Sequence, residues 1–182
     1  MALTATIHRF KIALSDVDRG VYETLDLRVA QHPSETTRYM ITRVLAFCLS
    51  YEEGLEFCPN GLSGGEEPAA WSRTLDGRPR SWIEVGSPSA ERLHRASKAY
   101  PAVKVFTHHD PSLLARECER ATIHRVESIE AFAVDPKLLD ALEGHVERNT
   151  SWELTHTDGQ LYVTSRGQTL SGTLTKIPLG SA

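Results

Sequence analysis

SWIEVGSPS, residues 81–89, is a short apolar run of strand type that ends at a glycine and a proline, with a glutamate in its middle. Side chains alternate between the two faces of a strand, so Trp82, Glu84 and Gly86 point one way and Ile83 and Val85 the other. A helix is expected at once: Ser87 is placed to cap it, Pro88 suits its first position, and residues 90–100 are good helix formers. A strand that feeds straight into a helix is often covered by it. Glu84 is then partly buried, and an unpaired buried carboxylate costs several kcal/mol or takes up a proton. A basic partner, a hydrogen-bond network or a metal ion must compensate.

Working outward, residues 69–75 and 79–86 form a hairpin turned by Asp76-Gly77. Upstream lies a Gly-rich loop, NGLSGGEE, preceded by a short LEFC strand. Before that comes a helix capped by Ser34 and running to about Tyr51, with the apolar stripe Ile41, Val44, Leu45, Cys48 and Leu49. The chain opens with two alternating strands, 3–14 and 20–30, joined by SDVDRG, whose Asp16 and Asp18 read as turn chemistry. Downstream of residue 100, VKVFTH is an internal strand closed by His108-His109-Asp110. DPSLLARECERA is a short helix, 123–134 a strand, DPKLLDALEGHV a helix, and the tail three more strands. This order points to an α/β layer in which helices cover a mixed sheet, with β-rich arms at both ends.

The bulk properties narrow the classes. The chain has 182 residues, enough for one domain spanning 1–182, with 40 % apolar residues to build its core. A net charge of −4 gives no global basic field, so nucleic-acid contact requires a local patch. Three scattered cysteines fit a reduced, cytoplasmic protein rather than a disulfide frame or zinc knuckle. There is neither a membrane-length apolar run nor a signal peptide.

Four acids punctuate the middle of the chain: Glu35, Glu66, Glu67 and Glu84. The helix after Glu84 supplies Arg92, Arg95 and Lys98. Carboxylates converging beside basic groups would hold Mg²⁺ or Mn²⁺, which favour oxygen ligands. Each residue also has a plain structural reading. Glu35 meets the macrodipole of a helix N-terminus, Glu66 and Glu67 are solvated loop residues, Glu84 pairs with Arg95, and Lys98 sits in water.

The segments 1–20 (MALTATIHRFKIALSDVDRG), 30–57 (AQHPSETTRYMITRVLAFCLSYEEGLEF), 61–71 (GLSGGEEPAAW) and 82–98 (WIEVGSPSAERLHRASK) resemble the YaeQ family of bacterial proteins. Their layout resembles the core of the PD-(D/E)XK nuclease superfamily. That resemblance implies a restriction-endonuclease-like α/β/α core with a mixed sheet and additional β-strands at both ends. It matches Glu35, Glu67 and Glu84 to the metal-holding acids, and makes Glu67 and Glu84 catalytic. The motif lysine falls at Gly86, so Arg95 or Lys98 on the next helix becomes the substitute. The implied activity is a Mg²⁺- or Mn²⁺-dependent phosphodiesterase acting on nucleic acid through a patch of Arg92, Arg95 and Lys98. The alternative is a degenerate nuclease fold that binds nucleic acid or a protein partner without cutting.

Overall fold

The computed structural model describes residues 4–59 and 65–180. Residues 60–64, most of the Gly-rich loop, and residue 3 of the first expected strand lie outside the described residues. The elements run β1 (Thr6–Asp16), β2 (Val21–Gln31), α1 (Thr37–Leu49), β3 (Glu56–Phe57), β4 (Ala70–Arg73), β5 (Pro79–Val85), α2 (Ala90–Ala99), β6 (Ala102–Thr107), α3 (Pro111–Glu119), β7 (Glu130–Val134), α4 (Pro136–Glu143), β8 (Asn149–Thr157), β9 (Gln160–Ser165) and β10 (Gln168–Ile177).

The ten strands form one mixed sheet in the order β2-β1-β8-β9-β10-β7-β6-β5-β4-β3. The terminal strands are therefore not arms. They make half of the sheet. β1 runs parallel to β8, with Arg9 opposite Asn149 and Asp16 opposite His156. β10 joins the two halves: residues 168–173 pair with β9, and Leu174–Ile177 with β7.

This overturns the expected α/β/α sandwich. The sheet curls until it is nearly closed into a barrel, and α1 lies in its concavity. The burial of α1 shows why. All residues from Met40 to Leu49 are buried, not one stripe. A helix apolar all round is a core helix, not a covering layer. Phe10, Ile12, Leu27 and Val29 reach the same core as Ile83 and Val85, and α4 adds Leu138, Leu139 and Leu142. A second core lies outside β5–β7, where Leu93 of α2 and Leu114 of α3 meet Val103 and Val105.

Local chemistry sets the ends of the elements. Thr36, not Ser34, caps α1 by accepting from Tyr39 N, and Ser89, not Ser87, caps α2 by accepting from Arg92 N. Asp110-Pro111 and Asp135-Pro136 place an acid at the N-cap and a proline just inside α3 and α4. The expected strand 123–134 shrinks to Glu130–Val134 because a 3-10 turn, Val126–Ser128, precedes it, entered through Arg125 at φ 47°. No described helix is long and apolar enough to cross a membrane.

Candidate functional site

Strands β5 and β6 are parallel, and their carboxyl ends open onto a cavity of ≈ 260 Å³. Glu84, Gly86 and Ser87 supply one wall, Tyr39 and Arg43 of α1 another, and Glu67, Arg92 and His109 close it. Such strand ends are where open α/β sheets place ligands.

Glu84 is buried, on the face of β5 that α2 covers. Its partner is Arg92. Arg92 Nε donates to Glu84 Oε1 at 2.5 Å, and Trp82 Nε1 donates to the same oxygen at 2.7 Å. Arg92 also donates through Nη2 to the Glu67 carbonyl at 2.5 Å and through Nη1 to the Gly65 carbonyl, and stands over the Trp82 ring. Burial pushes the Glu84 carboxyl up, and its bonds to Arg92 and Trp82 only partly oppose that.

Glu35 is held differently. Arg43 grips it with two bonds, Nε to Oε1 at 2.6 Å and Nη2 to Oε2 at 2.9 Å, and His32 N donates to Oε2 at 3.1 Å. Its side chain is 1 % exposed, so Arg43 stands between it and the cavity. Glu35 also precedes the N-cap rather than opening the helix. Glu67 lines the cavity and is half-buried. Among the described residues, no three His, Cys, Asp or Glu side chains form a group able to hold a metal ion. The expected Mg²⁺ or Mn²⁺ centre on Glu35, Glu67 and Glu84 is corrected accordingly, because Arg43 and Arg92 supply the compensating charge instead. The metal-dependent nuclease reading and its degenerate alternative fall with that centre and with the sandwich.

The two expected lysine substitutes lie apart from Glu84. Arg95 is exposed, 3.8 Å from Glu66, and Lys98 is exposed in the last turn of α2. Gly86 explains why no lysine occupies the motif position. Its φ is +95°, a backbone region that a side chain occupies only under strain.

Sequence reasoning missed Tyr39 and Arg43 as cavity residues. The available signal was a single arginine inside the otherwise apolar run MITRVLAFCL, four residues after a tyrosine and so on the same helix face. His109 was visible but read as loop. Its ring lies 3.9 Å from that of His108, a residue that burial first, and then His109 and Arg38, push down to about 4, so its imidazole is neutral at pH 7. The three cysteines are buried, and burial pushes the Cys48 and Cys58 thiols up to about 12 and Cys118 to about 11, which leaves them poor nucleophiles.

A curled mixed sheet wrapped on a core helix, with a small polar cavity at parallel strand ends, defines the protein's structural class. Residues 1–174 match the model of the family described as YaeQ protein, and the chain belongs to that family. The crystal structure of the YaeQ protein from Pseudomonas syringae is similar over 96 % of both chains, at 30 % identity and TM-score 0.85. That of the YaeQ protein from Xanthomonas axonopodis pv. citri covers 96 % of this chain and 97 % of its own, at 28 % identity and TM-score 0.80. The "Uncharacterized protein YaeQ" of Escherichia coli (strain K12) is 28 % identical over 176 residues, 96 % of this chain and 97 % of that one.

Proposed function

We propose that the cavity at the carboxyl ends of β5 and β6 binds a small zwitterion of about amino-acid size, and that the protein acts through this binding. The observation that carries the reading is Glu84: a buried carboxylate, shifted upward, in the wall of a concave polar cavity. A ligand ammonium offsets the burial that Arg92 leaves partly uncompensated. The opposing wall holds Arg43, whose hydrogen bonds all use Nε and Nη2, leaving Nη1 for a ligand carboxylate. Glu67 contributes to the acidic side. Arg92, with every nitrogen engaged, is a positioning residue for Glu84. Arg95 and Lys98 have no direct part in this reading.

The test is a melt and an amide chemical-shift titration against a panel of free amino acids and their methyl esters. A binder at ten times its dissociation constant stabilises the fold by RT ln 11, about 1.4 kcal/mol, or roughly 3–6 °C for a chain of this size. Binding tightens as pH rises through the Glu84 pKa, because only the ionised form attracts the ammonium. Glu84→Gln abolishes the response, and the methyl esters bind more weakly than the free acids. A panel in which nothing shifts the Gly86 or His109 amide, or a Glu84→Gln protein that responds like the wild type, rejects the reading.

A further inference from the structure

The opposite half of the sheet carries a separate constellation. On the outer face of β1, β2 and β8, Arg9 lies across from Arg28 on one side and Asn149 on the other. With Arg148 and Ile7 they line a concavity of ≈ 650 Å³. Like charges directly opposite one another weaken a sheet, and only Arg9 has a carboxylate, Asp26, which it holds through Nε at 2.7 Å. Arg28 and Arg148 are exposed and make no ion pair with any described residue. Lys11, two positions along β1, faces the same way. Glu153 is the further acid on this face of β8, opposite Ala13. A net positive patch thus stands on a chain whose overall charge is −4.

The same face continues to a second feature. Tyr22 is opposite Ser15, Ser15 is opposite Thr155, and Thr155 is opposite Tyr162. Tyr22 is 62 % exposed and Tyr162 40 %. The tyrosine row lies six residues along β1 from Arg9, roughly 20 Å at strand rise. Cationic side chains at one end of a sheet face and exposed aromatic rings at the other match a strand whose phosphates are anionic and whose bases are unpaired.

We infer that the outer face of β2, β1 and β8 docks single-stranded nucleic acid, with phosphates in the Arg9–Arg28–Arg148 concavity and a base stacked on Tyr162. Charge complementarity selects the occupant, and the exposed rings select a single strand, because bases in a duplex are already stacked. This surface is independent of the zwitterion cavity.

Fluorescence anisotropy with labelled oligouridylate and oligothymidylate tests it, in a series of salt concentrations. The wild type binds one or both at low salt, and RNA-only or DNA-only binding identifies the source of the phosphate strand. The surface double variant Arg28→Ala/Arg148→Ala binds at least about tenfold more weakly, with the salt slope reduced by about two, one per lost phosphate contact. Tyr162→Ala weakens binding at least about fivefold with the slope unchanged, as loss of a stacked base requires. Arg120→Ala, at the end of α3, leaves binding as in the wild type. Absence of oligonucleotide binding at low salt overturns the inference. So does a double variant that binds like the wild type, or capture by anionic phospholipid vesicles without capture of either oligonucleotide.

Discussion

Two glutamate–arginine pairs flank the cavity, and they are built to different ends. At the approach to α1, Arg43 meets Glu35 with a two-pronged bond, and the side chains are 5 % and 1 % exposed. At the end of β5, Arg92 meets Glu84 through one nitrogen only, and spends its other two on carbonyls. The first pair neutralises a carboxylate completely. The second holds one in place while burial still pushes it up. A buried acid becomes available to a ligand when its basic partner is shared with the backbone.

The sharpest way to break this comparison is to remove both acids in turn. Glu35→Gln strands the Arg43 charge in the core and should lower stability by about 3–5 kcal/mol in urea unfolding. A loss of under about 1 kcal/mol would make the two pairs equivalent and dissolve the contrast.

A third acid gives the opposite pH behaviour to Glu84. Asp16 is fully buried, and burial alone would raise its pKa, but hydrogen bonds from His156 and Arg19 outweigh that and hold it below the usual range. Asp16→Asn should cost about 1.5–3 kcal/mol at pH 7, the worth of a hydrogen bond to a charged group. A lowered folded-state pKa means this stability is present above the unfolded value of about 3.9 and lost as pH falls through the folded value. The gap between wild type and variant should therefore close in acid, and a gap constant from pH 7 to pH 3 would refute the assignment.

Gly86→Ala isolates backbone strain at the cavity. The added Cβ would sit 3.6 Å from Tyr39 Cε2, an ordinary contact, so the cost comes from φ +95° alone, about 1–2 kcal/mol. Melts that show no loss would mean the loop shifts to a relaxed conformation.

Glu84→Gln should have the smallest effect, about 1 kcal/mol or less at pH 7, since an amide oxygen still accepts from Trp82 and Arg92 retains its carbonyls. Its sign with pH is the informative part. A raised folded-state pKa means the native state binds its proton more tightly, so Glu84 adds stability as pH falls from neutral through that pKa, down to the unfolded value of about 4.3. The wild type should gain on Glu84→Gln in acid, where it loses ground to Asp16→Asn.

Much of this was legible along the chain. Strict alternation in 20–30 is the register of β2 on β1, because a half-buried strand shows its faces in a period of two. Asp76-Gly77 turned the β4–β5 hairpin, and the two Asp-Pro pairs opened α3 and α4. The alternation in SWIEVG placed Glu84 under α2, with Ile83 and Val85 on the other face. That sequence alone required a compensated glutamate. Which arginine compensates it was decided in three dimensions. Arg92 and Arg95 are three apart on one helix, but only the one in the first turn lies beside the end of β5, and side chains reach back toward the helix N-terminus. The curl of the sheet was likewise invisible locally. β1 and β8 are about 140 residues apart and pair in parallel, and nothing in either strand names its neighbour. That pairing turns the terminal strands from arms into half of a wall. It makes α1 a core helix, because the burial around it comes from strands at both ends of the chain.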